Sequence, residues 1–241
     1  MSQSLLLRRP VLSPRVRRWP SSVRGLQLRY KFDEGAGKKA FDSSGLHRHG
    51  TINGTGLYAP SLVGKCLYFD GTGDYVATPS FGLSGTVVVF ACRTRCKKHT
   101  DYQMFFARSG THMLLRLPLP DSEYLRWYYA APGQAYAQTS FLTSTYEDVW
   151  LHLCVVCDYA EKACYFYRNA ILIASLALTG TPVFPSFNAA MYIGVYNDGA
   201  SYLLTAGYLA DVQLWTLATM PPPAVMNASA WRMSQGLWPI W

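Results

Sequence analysis

Leu26, Leu28 and Tyr30 alternate with Gln27, Arg29 and Lys31, the two-residue period of a strand that buries one face. Short segments of the same kind recur at Leu67-Tyr68-Phe69, Tyr102 to Ala107, Met113 to Leu117, Leu125 to Tyr129, Met191 to Val195 and Leu209 to Thr216. Thr86 to Cys92 is continuously apolar, which predicts a strand covered on both faces. Trp150 to Asp158 and Ala163 to Arg168 predict a hairpin around Ala160-Glu161-Lys162, and the longest apolar stretch, around Ala170 to Leu178, is strand-length. Asp33-Glu34-Gly35-Ala36-Gly37, Asp42-Ser43-Ser44-Gly45 and Asp70-Gly71-Thr72-Gly73 are turns built from residues that bond their own backbone or accept left-handed angles. Closely spaced turns between short strands predict a sandwich rather than alternating β/α units.

The two ends differ from the middle. Residues 1–25 read as an extended basic arm interrupted by Pro10, Pro14 and Pro20. Pro221 to Met233 reads as a helix with a proline-rich start, and the chain closes on Gly236-Leu237-Trp238-Pro239-Ile240-Trp241. The expected organisation is therefore an arm (1–25), an all-β sandwich (26–220) and a short helix with an aromatic tail (221–241). The sequence shows no internal repeat.

Composition sharpens this picture. Half of the 241 residues are hydrophobic and 15% aromatic, enough to bury a sizeable core. Only 15% are charged, against about a quarter in an ordinary soluble domain, which predicts surface covered by neighbours. The net charge is +8, and Arg8, Arg9, Arg15, Arg17, Arg18 and Arg24 stand in the first 25 residues with no acid among them. The basic character belongs to the arm. No apolar run is long enough to span a membrane as a helix. The arm lacks the apolar core of a secretory signal and is similar to a mitochondrial transit peptide, although its prolines break any amphipathic helix. Six cysteines (Cys66, Cys92, Cys96, Cys154, Cys157 and Cys164) are expected to be reduced thiols.

Several motifs in order carry a family resemblance. Tyr30-Lys31-Phe32-Asp33-Glu34-Gly35-Ala36-Gly37 with Asp42-Ser43-Ser44-Gly45 and Gly50-Thr51-Ile52 resembles the opening of laminin-G-like domains of the concanavalin A-like superfamily. Gly64-Lys65, Leu67 to Gly71 and Asp74-Tyr75-Val76 are similar to its second block; Trp150 and His152 before Val155 and Asp158 to its central strand; Tyr167-Arg168-Asn169 to its turn. Tyr192-Ile193-Gly194 and Gly207 to Val212 resemble its closing strands. Phe90 stands where the family usually has Trp, and Ala170 replaces the turn glycine. The resemblance spans roughly residues 26–230 and implies an all-β, two-sheet antiparallel jelly-roll sandwich of the concanavalin A-like type. Such domains bind glycans, proteins or calcium, and the fold does not fix which.

Candidate chemistry is sparse. Glycosidases of this superfamily carry Glu-x-Asp-x-Glu on one strand face, whereas Glu34, Glu123, Glu147 and Glu161 lack that spacing and lie in or near predicted turns; hydrolysis is not expected. Cys154, Cys157 and Cys164 do not make a zinc knuckle, because residues three apart on a strand point to opposite faces. His152 shares a face with Trp150 and Cys154 and reads as a packing histidine; no nucleophile motif accompanies it. Calcium is the one cofactor in view, on Asp74, Asn197 and Asp198 as implied by the family's loop sites, with the acid count low for such an ion. A glycan face would use Tyr124, Trp127, Tyr128, Tyr129, Tyr136 and Tyr202. Specific nucleic-acid binding is not expected from six arginines in an arm.

These features point to a non-enzymatic structural or binding protein. The chain resembles small phage- or virus-encoded laminin-G-like proteins that carry an Arg/Pro/Trp-bearing leader. That resemblance implies a virion subunit, such as a decoration or tail-associated protein. Its partners would be capsid or tail proteins, with a glycan as ligand. Arg8, Arg9, Arg15, Arg17, Arg18, Trp19, Trp238 and Trp241 would anchor it to neighbours, with Trp231 at the same contact. The alternatives are an accessory subunit of a mitochondrial assembly and a free carbohydrate-binding module.

Overall fold

The structure, a computed structural model, describes residues 24–97, 103–108, 113–117, 124–129, 135–140, 147–196, 206–237 and 239–241. It is a two-sheet antiparallel β-sandwich with one C-terminal helix. Strands β1 (Leu26–Tyr30), β4 (Leu57–Pro60), β5 (Lys65–Asp70), β7 (Val87–Cys96), β12 (Leu151–Asp158), β13 (Ala163–Arg168), β14 (Ile171–Ala177) and β16 (Ala206–Leu217) form sheet A. Its order is β14-β13-β12-β7-β16-β5-β4, with β1 also on β16. Sheet B consists of β2 (Lys39–Ala40), β3 (Gly50–Asn53), β6 (Tyr75–Ala77), β8 (Gln103–Arg108), β9 (Leu114–Leu117), β10 (Tyr124–Tyr128), β11 (Tyr136–Ser140) and β15 (Met191–Ile193). Its order is β11-β10-β9-β8-β15-β6-β3-β2. Sequence-adjacent strands alternate between meanders and long crossovers, as in a jelly roll.

The core lies between the sheets. Val88, Phe90 and Cys92 of β7, Leu153 and Val155 of β12, and Val212 and Leu214 of β16 face Phe106, Trp127 and Ile193 across it. Phe90, in the place of the family's Trp, stacks on Phe106 with ring centroids 4.7 Å apart, so two rings fill the central layer. The reason β7 and β12 read as continuous apolar runs is that their other face is also covered. Val87, Val89 and Ala91, with Cys154 and Val156, pack against Met226, Ala230 and Met233 of helix α1 (Pro223–Ser234). The spacing of those helix residues makes one apolar stripe, and each large side chain so buried contributes roughly 1.5–3 kcal/mol.

The end of α1 is closed by a Schellman motif: Gly236 N–H donates to Met233 O at 2.9 Å and Leu237 N–H to Arg232 O at 2.8 Å. Gly236 sits at φ 72°, the left-handed position that this cap requires. The tail then turns back over the sheet. Ile240 N–H donates to the buried Ser229 hydroxyl at 3.1 Å, and the Trp241 ring stands edge-on to Trp215 with centroids 5.4 Å apart. Trp241 thus clasps the tail to sheet A within the chain. Trp231 is 54% exposed.

Cys154 faces α1 while Cys157 and Cys164 face the inter-sheet core, the divergence expected of residues three apart on a strand. All six cysteines are free. No described helix is long and apolar enough to cross a membrane.

Candidate functional site

The tyrosines expected at a glycan face divide between the two sides of sheet B. Alternation along β10 sends Leu125 and Trp127 into the core and leaves Tyr124, Arg126 and Tyr128 on the outer face. Opposite them on β11 stand Ser140, Gln138 and Tyr136 respectively. Tyr124 and Tyr136 are 39% and 41% exposed. The Arg126 guanidinium lies 4.6 Å over the Tyr136 ring, and its Nε donates to Gln138 Oε1 at 2.9 Å. Tyr128, its ring 5.3 Å from that of Tyr136, is buried with Met104 and Ala107, and Tyr196 packs against them. The outer face at this edge of sheet B therefore carries two open phenol rings around an oriented guanidinium and a side-chain amide. Apolar ring surface beside fixed donors and acceptors is what a sugar requires.

Two expected members of this site are elsewhere. Trp127 is fully buried and Tyr129 is 1% exposed, both in the inter-sheet core, where the pleat places every second residue of β10. The Tyr129 hydroxyl accepts the Thr179 N–H at 2.9 Å and is a structural tie. Arg126 and Gln138 were missed as site residues. The period-2 pattern that marks β10 also places Arg126 outward, whereas Tyr136-Ala137-Gln138-Thr139-Ser140 is too polar to announce a strand.

Asp74 does not present a calcium ligand. It is 2% exposed and its carboxylate accepts the Thr55 N–H and hydroxyl and the Asp70 N–H, the last two at 2.9 and 3.0 Å. Those bonds tie two turns together and use the acceptor capacity a cation would need. Asn197, Asp198 and Tyr202, the arm residues Arg8, Arg9, Arg15, Arg17, Arg18 and Trp19, and Trp238 lie outside the described residues. Among the described residues there is no cluster of three or more His, Cys, Asp or Glu side chains placed to hold a metal.

A second concentration of polar groups lies on the outer face of sheet A, beside the end of α1. The ladder of β16 against β7 slips between Ala210 and Gln213, so that Asp211 and Val212 together oppose Cys92. This bulge holds Asp211 at φ 47° and turns its carboxylate to the outer face while Val212 stays in the core. Arg29 Nε and Nη2 donate to the two oxygens of Asp211 at 2.6 and 3.1 Å. Gln213 donates to the same carboxylate at 3.0 Å, and its oxygen accepts the Trp215 indole N–H at 3.2 Å. Arg93 Nη2 stands 3.5 Å from Asp211. His152, directly opposite Arg93 in the β7–β12 ladder, is buried, and its pKa is pushed down from 6.5 to about 4, by desolvation first and by the Arg93 charge second. The imidazole is neutral at physiological pH.

The fold is that of a lectin-like sandwich. The family model described as the concanavalin A-like lectin/glucanases superfamily, of laminin G type, matches residues 70–222; the chain belongs to that superfamily. Among solved structures it is similar to the botulinum neurotoxin serotype D binding domain, with a TM-score of 0.62 and 10% identity over 88% of this chain and 52% of that one. Botulinum neurotoxin type C, whose cell entry depends upon interaction with two ganglioside molecules, gives a TM-score of 0.62 and 9% identity over 84% of this chain and 50% of that one. The chain thus spans about half the length of these toxin structures. Domain 4 of AbnA, an extracellular arabinanase from Geobacillus stearothermophilus, solved with arabinotriose, gives a TM-score of 0.61 and 20% identity over 84% of this chain and 97% of that one. At these identities the likeness is one of fold. No curated protein matches the chain in sequence.

Proposed function

We propose that this protein is a non-catalytic carbohydrate-binding sandwich whose ligand lies on the outer face of sheet B across β10 and β11. The observation that carries the reading is the juxtaposition of exposed Tyr124 and Tyr136 with Arg126, whose guanidinium is held by Gln138. Two features of the relatives support it: the ganglioside-dependent toxin and the arabinotriose-bound arabinanase domain share this fold. The absence of a catalytic role is supported by how the buried carboxylates are used. Asp42, Asp74, Asp158 and Asp211 each accept two or more protein donors, which leaves them as turn and strand fasteners rather than acid and base across a cleft. Screening the full chain on immobilised glycans tests the reading: retention of a defined set, lost together in Tyr136→Ala and Arg126→Ala, supports it. Retention of none, or retention unchanged in both variants, overturns it.

A place for this sandwich in a larger assembly, a virion with capsid or tail partners, is the second reading. It is favoured by the edge strand β14, whose Ile171 and Leu172 are 68% and 43% exposed, together with the arginine-rich arm. Among the described residues β14 has a strand on one side only, and an apolar sheet edge is a place where another chain adds. Sedimentation of the nuclease-treated native source, with mass spectrometry of the fast fraction, tests it. Co-sedimentation with capsid or tail proteins supports the virion; a mature N-terminus near residue 25 in an organelle fraction supports the mitochondrial alternative instead.

A further inference from the structure

Cys157 of β12 and Cys164 of β13 stand directly opposite one another in the hairpin ladder. Alternation along the two strands turns both side chains the same way, into the core between the sheets, and both are fully buried. Among the described residues, no other two cysteines share a rung. Cys66 faces Ala59, Cys92 faces Leu153, Cys96 faces Gly207, and Cys154 faces Ala91 and Tyr167. Cys154, three residues before Cys157, points the other way, towards α1.

The ladder supplies most of the geometry a bond between the two sulfurs requires. Directly opposite residues of an antiparallel pair hold their Cβ atoms about 4.5–5.5 Å apart. A disulfide needs about 3.5–4.5 Å between the same atoms, and the Cα separation of an antiparallel rung already suits it. An approach of about 1 Å therefore suffices. The connecting turn holds the alignment, because Asp158 Oδ1 accepts the Ala160 and Glu161 N–H groups at 2.9 and 3.0 Å.

The surroundings decide when such a bond can form. Burial, and then Cys157 beside it, push the pKa of the Cys164 thiol well up. The Tyr159 phenol is likewise pushed up, by burial first and then by the neighbouring thiols. Its ring meets Phe184 edge-on at 5.4 Å and closes the layer over the pair. Protonated, shielded thiols are poor nucleophiles, so exchange with an outside disulfide belongs to the moments when the hairpin is folding or open.

We infer that Cys157 and Cys164 are a modification site that closes a cross-strand disulfide when the chain folds in the presence of a small disulfide such as oxidised glutathione. One cysteine thiolate attacks the glutathione disulfide, forms a mixed disulfide and releases one glutathione thiolate. The other cysteine thiolate then attacks the sulfur of the first cysteine and releases the second glutathione. The protein gives up two electrons and two protons, and one oxidised glutathione becomes two reduced ones. The closed bond lies in the same shielded layer, where it fastens β13 to β12 and resists reduction. The inference is independent of the glycan and virion readings.

Non-reducing peptide mass spectrometry of the full chain tests it, after refolding from urea in a mixture of oxidised and reduced glutathione. The expected result is a peptide pair joined through Cys157 and Cys164, with Cys92, Cys96 and Cys154 still open to alkylation in denaturant. The oxidised chain is expected to have a higher urea midpoint than the reduced one and to be reduced by glutathione only in denaturant. Cys164→Ala is expected to remove both the linkage and the midpoint difference, and Cys154→Ala neither. Cys157 and Cys164 both open to alkylation after refolding, a lasting glutathione adduct on either, or linkage of either to another cysteine would each overturn the assignment.

Discussion

Arg29 on the first strand grips Asp211 on the last with two nitrogens, at 2.6 and 3.1 Å, both side chains being buried. The same guanidinium donates to Gly236 O at 3.2 Å, so a single side chain joins β1, β16 and the cap of α1. Gly236 also lets the cap close over the second guanidinium: a Cβ there would stand 2.5 Å from Arg93 Nη2. The pair closes the sandwich across nearly the whole chain and seats the helix that covers sheet A.

Without Arg29 the buried Asp211 carboxylate loses both short charged bonds and keeps only Gln213 and the more distant Arg93. Arg29→Met is therefore expected to destabilise the fold by about 3–5 kcal/mol, read as a lowered denaturant midpoint. Replacing both residues by apolar ones of similar size should not recover the loss, because Arg93, 3.5 Å from Asp211 and buried, would then be the charge left without a partner.

His152 gives the fold a pH dependence with a defined sign. Its folded pKa, about 4, lies below the unfolded value of 6.5. Above about 6.5 both states are neutral and stability is unaffected; as pH falls from 6.5 towards 4 only the unfolded chain takes the proton, and stability drops. The loss attributable to this residue is on the order of 2–3 kcal/mol. Comparing unfolding at about pH 7 and about pH 4.5, His152→Gln is expected to lose less than the parent chain.

The turn between β13 and β14 holds Asn169 at φ 49° and Ala170 at φ 70°. Both central residues are left-handed, as a two-residue hairpin of type I′ requires, and Ala carries a steric penalty there. Ala170→Gly is expected to raise stability by about 1 kcal/mol, seen as a higher melting temperature. Asn169 should remain, since its N–H and side-chain oxygen clamp both backbone groups of His152.

Trp241→Ala removes the edge-on partner of Trp215. The expected cost is about 1–2 kcal/mol, with a red-shifted indole fluorescence as water reaches the outer face of sheet A.

The strands that bury one or two apolar faces were legible in the chain. Leu26 to Tyr30, Val87 to Cys92 and Leu151 to Asp158 announce themselves by period or by continuous apolarity, and Pro222 and the Met226–Met233 stripe announce α1. The short strands β2, β3 and β4 did not, because Lys39, Gly50, Thr51, Asn53 and Pro60 interrupt them, whereas the equally short β9 and β15 are nearly all apolar. The sites were less legible. Whether a Tyr in β10 faces sugar or core is decided by a register shift of one residue, and Trp127 and Tyr129 fell on the wrong side of it. The Arg29–Asp211–Arg93 cluster joins positions far apart in sequence through a bulge that has no local signature, so nothing in the order of residues reveals it. The contact of Trp241 with Trp215 was not legible either, because Trp215 is a strand residue brought under it only by the turn at Gly236.

The most direct test of the binding account is to follow backbone amide shifts by NMR while titrating the full chain with the tightest neutral glycan from the immobilised screen. The account predicts shifts concentrated in residues 124–128 and 136–140, abolished by Tyr136→Ala. Shifts confined to other surfaces, with those two strands unmoved, would contradict it.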